Sequence, residues 1–473
     1  MGCRRRLPLG AGQALTRHSL LCCLLFLGST PALSATDQVS FESIHLFDKT
    51  AGDGEFLNEP VTEGSDGFLY GATSSGGGPL DCGLVFRVRK SGADYQILHV
   101  FGPPSATNGS TSWGGVIEGK DGRLYGATRY GGSGDAGTIY SLARDGADFK
   151  IIHHFPTNGS AGRFPMNGVV QAKDGRLYGR TLTGGEGGGA TIFGLNTDGS
   201  AFQTLHHFAR SDREYYIAYS GLLVGSDGRL YGAADSEGPQ GAGSVFSLST
   251  DGSGFQTLHF FTGTGKGPEG RFPIGGVTES TEGILFGTTQ GGGFDDFGVL
   301  YRIHRDGTGY RVIHEFTAQR QEGYTPASAP IEGPDNALYG TTYFGGPFDN
   351  GAIYRIRKDG SGLAFIYTFE DVDCPAWPYS ALRICSDGAF YGTTFNGRGN
   401  VYGAVFRINP ISLTVASNVV HLHAMTGKGY SLETTTNLAD AWIEYGRQTN
   451  TTGAIAFQIL PSPSPQFFRA RAE

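Results

Sequence analysis

Charge is scarce in this chain: Asp, Glu, Lys and Arg together make up 17% of its 473 residues. It has only three tryptophans, three methionines and six cysteines. The longest purely apolar stretch near the start, Leu20 to Leu27, is too short to span a bilayer, and no second candidate follows it, so no membrane span is expected. After residue 34 there is no Gly-x-Ser-x-Gly, His-Glu-x-x-His or phosphate-loop pattern, which removes the common nucleophile, zinc-protease and nucleotide signatures. Cys-x-x-Cys is missing as well, so a structural zinc site has no support, and no cofactor is implied.

The first 34 residues read as a signal peptide. Arg4, Arg5, Arg6 and Arg17 precede the apolar stretch, and Ala32-Leu33-Ser34 supplies the small-x-small pattern that signal peptidase accepts. The mature protein is therefore expected to be secreted, periplasmic or at the cell surface. Removing that segment takes the formal charge from −8 to −12, with 32 basic against 44 acidic residues. Such a chain repels nucleic acid and anionic membrane surfaces, so neither is expected as a partner. Three cysteines remain: Cys82, Cys374 and Cys385. If two of them pair, Cys374 with Cys385 is the expected bridge, leaving Cys82 free.

What is abundant is glycine, 78 residues, accompanied by 12% aromatics. That combination fits many short strands joined by tight turns. The glycines fall in a repeat. An Asp-Gly-x-Leu-Tyr-Gly element begins at Asp66, Asp121, Asp174, Asp227, Glu282, Asp335 and Asp387, seven copies spaced 52 to 55 residues apart. A Gly-x-(Val/Leu/Ile)-aromatic element follows each copy and ends at Phe86, Tyr140, Phe193, Phe246, Tyr301, Tyr354 and Phe406. An (Ile/Leu)-His-x-Phe element has its histidine at 45, 99, 153, 206, 259 and 314, with Tyr367 in the last copy.

Each period reads as four antiparallel strands: a short apolar run, an Asp-Gly hairpin, the Leu-Tyr-Gly strand, the strand ending in Phe or Tyr, and the His-containing strand. This is the unit of a β-propeller blade, and seven units make an all-β, seven-bladed propeller over residues 35–408. The His-x-Phe element is displaced, because its first copy precedes the first Asp-Gly and none follows Phe406. The segment Phe41 to Phe47 is therefore expected to supply the outer strand of blade seven and so close the ring.

Repeats such as Asp121-Gly-Arg-Leu-Tyr-Gly-Ala-Thr-Arg-Tyr-Gly-Gly followed by Gly137-Thr-Ile-Tyr resemble the GloVer tandem repeat of exported bacterial proteins. The resemblance covers roughly residues 41 to 408 and implies export and a propeller-like array; it implies no reaction. Residues 409–473 break the period. Alternating segments at Leu413–Ala416, Tyr430–Thr434 and Ile455–Ile459, with a Phe467-Phe468-Arg469 ending, read as a small C-terminal β module.

Several residue sets invite a site. The six histidines lie on strands that should be outermost, where equivalent positions diverge, so a metal ring is not expected. Asp81, Asp135, Asp296 and Asp349 precede a glycine by two residues, as turn caps do, and each loop offers too few oxygens for calcium. Three residues before the Asp-Gly element stand Glu63, Glu118, Glu279 and Glu332, with Gln171, Val224 and Ile384 in the other copies. These carboxylates either bond backbone amides and tyrosine hydroxyls such as those of Tyr70 or Tyr125, or gather cations in the central channel. The crossover into each inner strand carries an aromatic: Phe56, Trp113, Phe164, Tyr219, Phe272, Tyr324 and Trp377. These rings either wedge between blades or form a rim that stacks on sugars or a partner protein. The functional expectation is an exported, monomeric, non-catalytic binding or scaffold propeller whose ligand is a polysaccharide or envelope protein. The alternatives are a carbohydrate-active lyase or hydrolase using the channel carboxylates, and a surface adhesin.

Overall fold

The computed structural model describes residues 39–48, 52–104, 107–209, 221–235, 237–263, 267–317, 323–369, 375–397 and 401–410, together with six strands beyond residue 411. The expected signal segment, Tyr219 and Cys374 lie outside the described residues. Two compact units emerge, one spanning Phe41–Pro410 and the other containing the strands from Ser412 onward.

The larger unit is a seven-bladed β-propeller of four-stranded antiparallel blades. Blade two shows the pattern: Ile117–Glu118, Leu124–Thr128, Thr138–Leu142 and Lys150–His154 pair in sequence from inner to outer. The recurring motifs have direct physical causes. In the Asp-Gly hairpin of blade one, Gly67 takes φ +80°, and the Asp66 carboxylate accepts from the Phe68 amide at 3.2 Å and the Tyr70 hydroxyl at 2.7 Å. The same Tyr-to-Asp bond recurs in blades two, three, four, six and seven. Blade five loses both partners together, as Glu282 and Phe286. The glycine after each tyrosine makes room for the aromatic of the next strand: a Cβ on Gly71 would lie 2.5 Å from the Phe86 ring.

The ring closes as the displaced repeat predicts. Val39–Leu46 is the outer strand of the sheet formed by Ala404–Pro410, Phe390–Thr394 and Arg383–Ile384. The Phe47 amide donates to Gly403 at 3.0 Å, and Phe41 stacks on Tyr367 of blade six at 4.1 Å. Apolar cores sit between blades rather than within them. Leu69 and Phe86 of blade one pack with Tyr391 and Val405 of blade seven, and Tyr70 and Val85 pack with Leu124 and Tyr140 of blade two. Burying each such ring contributes about 2–3 kcal/mol, so the closed ring is the stable form because every blade needs two neighbours.

Cys82 and Cys385 are buried free thiols, so the expected bridge from Cys385 is not formed. The Cys385 side chain is packed in the apolar core between blades one and seven, and burial together with nearby Glu63 pushes its thiol up to about 12. The smaller unit contains two three-stranded antiparallel sheets. One has Val419–His423 between Ser412–Ala416 and Ala454–Gln458; the other has Gly429–Thr435 between Ile443–Thr449 and Phe467–Ala472.

Candidate functional site

The four glutamates occupy one repeated position and do one repeated thing. Each reaches the turn of the preceding blade and accepts from both the amide and the hydroxyl of the residue just before its Asp-Gly element. Glu118 accepts from Ser65 N and Oγ at 2.5 and 2.8 Å, and Glu279 from Ser226 at 2.7 and 2.8 Å. Glu332 accepts from Thr281 at 2.6 and 2.9 Å, and Glu63 from Ser386 at 2.6 Å for both, across the closure of the ring. A base from the glutamate's own blade completes each cluster: Arg144 lies 3.4 Å from Glu118, Arg305 lies 3.3 Å from Glu279, Lys358 lies 2.5 Å from Glu332, and Lys90 pairs with Glu63. Burial raises the Glu332 carboxyl, but Lys358 and the Thr281 donors outweigh it and hold the group below its ordinary value. The tyrosine hydroxyls are not partners, since they go to the Asp-Gly aspartates.

The three positions vary together. Where the residue before Asp-Gly is Ser or Thr, the next blade carries Glu and a base; where it is Lys120, Lys173 or Pro334, the next blade carries Gln171 with Thr197, Val224 with Thr250, or Ile384 with Pro410. At two of these junctions the lysine reaches forward instead, Lys120 Nζ donating to Ala172 O at 3.1 Å and Lys173 Nζ to Ser226 O at 2.7 Å. These glutamates thus act as inter-blade staples.

The histidines are staples of another kind. His45, His99, His153, His206 and His259 each lie flat on an aromatic of the following blade, for example His99 on Phe149 at 3.6 Å and His153 on Phe202 at 4.0 Å. Burial lowers His99 and His153 to about 4, with the neighbouring His154 adding to the effect on His153, so these rings are neutral at pH 7. Asp81, Asp135, Asp296 and Asp349 take φ of 51° to 65° and accept from the amides of Gly76, Gly131, Gly292 and Gly345 at 2.7 to 2.9 Å. Among the described residues no His, Cys, Asp and Glu cluster could hold a metal ion.

The crossover aromatics do not all share one structural position. Phe56, Phe164, Phe272 and Trp377 have φ between 57° and 60°. The equivalent backbone positions in blades two and six are Thr111 and Thr325, which places Trp113 two residues after it and Tyr324 one before. Antiparallel order brings the crossovers and the loops between second and third strands to one end of every blade, here termed the crossover face. There, rings of blades five, six, seven and one form a continuous arc. Phe297 meets Tyr324 at 4.8 Å, Tyr324 meets Phe344 at 5.7 Å, and Phe344 meets Tyr343 at 4.6 Å. Tyr343 lies 6.5 Å from Trp377 and 5.5 Å from Tyr379, which leads through Phe395 at 6.0 Å to Phe56, a further 4.8 Å on. All eight rings are half-buried, and Phe294 and Phe348, on the adjoining loops, are 63% and 42% exposed. Trp113 and Phe164 sit in a separate group, with Arg129 over Trp113 at 4.9 Å and Tyr130 against Phe164 at 5.5 Å. Phe272 is buried beneath Arg271, whose guanidinium carbon is 5.0 Å from the ring.

The central channel holds the groups that motif reading missed. A cavity of about 340 Å³ is walled by the inner strands of all seven blades, largely by aliphatic side chains, and its charged lining residues are Glu59 and Arg383. Counted back from the Asp-Gly element, Glu59 stands where other blades carry Gly, Ser or Asn, and Arg383 where they carry Thr or an aliphatic residue. That departure from the repeat was the available sequence signal. Asn167 of blade three donates to Glu59 at 2.8 Å. Glu59 keeps an accessible edge toward the cavity but is surrounded by protein; burial lifts its carboxyl to about 7 against the lowering effects of Asn167 and Arg383. Arg383 also lines a second cavity of about 650 Å³ at the hairpin end, together with Glu279 and Glu332. Glu63 and Glu118 are not in its lining.

A family model described as the Gloeobacter/Verrucomicrobia repeat matches residues 32–219 and again residues 218–456. The chain belongs to the Gloeobacter/Verrucomicrobia repeat family. No curated protein matches this repeat protein in sequence. Among solved structures it is similar to an oligogalacturonate lyase in complex with manganese, at 10% identity over 78% of this chain and 96% of that one, with a TM-score of 0.45. It is also similar to an ulvan lyase, at 10% identity over 74% and 94% with a TM-score of 0.45, and to TolB from Acinetobacter baumannii, at 11% identity over 66% and 64% with a TM-score of 0.36. Likenesses this distant carry no argument about what the repeat protein binds.

Proposed function

We propose that this Gloeobacter/Verrucomicrobia repeat protein is an exported propeller that captures polysaccharide on its crossover face and holds it without turnover. The observation that carries this reading is the arc of eight half-buried rings from Phe297 to Phe56, bordered by the exposed Phe294 and Phe348. Flat, partly accessible rings stack on sugar faces for about 1 kcal/mol each, and several acting together give retention that one alone does not. The glutamate staples support the non-catalytic part, because the carboxylates expected in the channel are already engaged with neighbouring turns. Glu59, placed to exchange a proton near neutrality, is the feature a lyase or hydrolase would use, so the decisive assay scores retention and product release together. The mature protein is passed over a panel of immobilised polysaccharides. Capture of at least one without release of oligosaccharide is expected, and a Trp377→Ala, Tyr343→Ala double variant should lose it while melting as a cooperative unit. Steady product release would replace capture with catalysis, and undiminished retention by the double variant would remove the arc from the site.

A further inference from the structure

Arg383 is a guanidinium that the packing of the blades does not explain. It is exposed, and among the described residues it donates no hydrogen bond and forms no ion pair. This contrasts with Arg144 and Arg305, which are tied to the staples. It stands where the other inner strands carry Thr62, Ile117, Val170, Leu223, Thr278 or Ile331, so the repeat does not require it. It lines both the axial cavity and the hairpin-end cavity.

We propose that the axial cavity is a binding site for one carboxylated sugar unit, a hexuronate, whose carboxylate is taken by Arg383 and whose hydroxyls are met by Asn167 and Glu59. This deepens the capture reading and rests on it for the sugar character of the ligand; the demand for negative charge rests on Arg383 alone. A guanidinium fork matches a carboxylate in two parallel bonds, and an unpaired one beside an apolar wall is the arrangement that such a ligand completes. The cavity, about 340 Å³, is at the small end of ligand pockets and suits a single ring. Its Val, Leu and Ile lining offers a surface for the apolar face of a pyranose, and Tyr379 joins it to the aromatic arc above.

An anion entering here meets Glu59. The groups facing that carboxyl are Asn167 and Arg383, the other lining residues carry no charge, and Tyr379 is the remaining ionisable one. Because Glu59 sits at about 7, it can take up a proton as the ligand carboxylate arrives, which removes the repulsion. Binding should therefore be accompanied by proton uptake and weaken as pH rises from 6 to 8.

The test is calorimetric titration of the intact mature protein with free glucuronate and galacturonate, against glucose as the neutral control, at pH 6 and pH 8. Weak binding of at least one hexuronate, with a Kd on the order of 1 mM and no heat from glucose, is expected. Arg383→Gln should weaken it about tenfold or more. Glu59→Gln, which mimics the protonated acid, should remove the difference in affinity between pH 6 and pH 8. Silence toward both hexuronates, equal affinity for glucose, or an unchanged affinity in Arg383→Gln would each overturn the proposal. If Glu59→Gln fails to fold, the parent's own pH dependence, measured in buffers of different ionisation enthalpy, decides the proton-uptake step. Polysaccharide retention through the crossover arc is scored separately, so loss of the hexuronate site and loss of capture are told apart.

Discussion

Removing the carboxylate of Glu118 isolates one inter-blade staple. Glu118 accepts two charge-assisted hydrogen bonds from Ser65, at 2.5 and 2.8 Å, and its side chain is 12% exposed. Such bonds contribute about 1.5–3 kcal/mol each, reduced here because water can reach the turn once the carboxylate is gone. Arg144 keeps Ser65 Oγ at 2.7 Å, so its charge is not stranded. Glu118→Ala should therefore cost about 2–3 kcal/mol in equilibrium denaturation, and Ser65→Ala less, since the backbone donor survives. A double-mutant cycle between the two should give a coupling of about 1 kcal/mol. The stronger arm transplants the staple to the next junction, which now holds Lys120, Gln171 and Thr197. Gln171→Glu alone should destabilise, because it loses the bond that Gln171 Nε2 donates to Gly175 O at 2.8 Å, gains no hydroxyl donor, and finds the Lys120 ammonium already engaged by Ala172 O and Lys173 O. Adding Lys120→Ser and Thr197→Arg should recover the loss. A coupling below about 0.3 kcal/mol, or a single Gln171→Glu variant as stable as the triple, would refute the staple.

Two further outcomes follow from the ring. Deleting residues 35–47 removes the outer strand of blade seven and bares the edge of Ala404–Pro410, so the shortened protein should aggregate or melt far lower; an unchanged melting temperature in a monomer on size exclusion would contradict closure. The stacked histidines set an acid limit: His99 and His153 are about 4 when folded against about 6.5 unfolded, so the unfolded chain binds more protons between those values. Their contribution is fully present above pH 6.5 and lost as pH falls toward 4, on the order of 1–2 kcal/mol for each after allowing for partial solvent access. His99→Phe, which keeps the stack on Phe149 and removes the titration, should flatten the stability profile in that window, and an unaltered slope would show that His99 binds protons alike in the folded and unfolded chain.

The architecture was legible in the sequence because every propeller blade solves the same local problem. Asp-Gly at the hairpin, glycine opposite an aromatic and histidine before phenylalanine are each set by contacts within a blade or with its neighbour, so they recur at one spacing and can be counted. Even ring closure was readable, because displacing one repeat element moves a strand from the end of the chain to its beginning. The glutamates were visible as a repeated residue, but their partners were not. Each lies about 50 residues away along the chain, and only the side-by-side packing of blades shows that Ser65 belongs to Glu118 or that Ser386, at the far end of the sequence, belongs to Glu63. The aromatic arc was half legible. Phe56, Tyr324 and Trp377 carry the crossover pattern, whereas Tyr343, Phe344, Tyr379 and Phe395 join them only because antiparallel strand order brings different loops to one end of the blade. Glu59 and Arg383 belong to no motif at all. Sequence marks them as exceptions to the repeat, but which exceptions share a cavity is decided by the radial arrangement of seven inner strands around one axis, where residues from blades one, three and seven face each other.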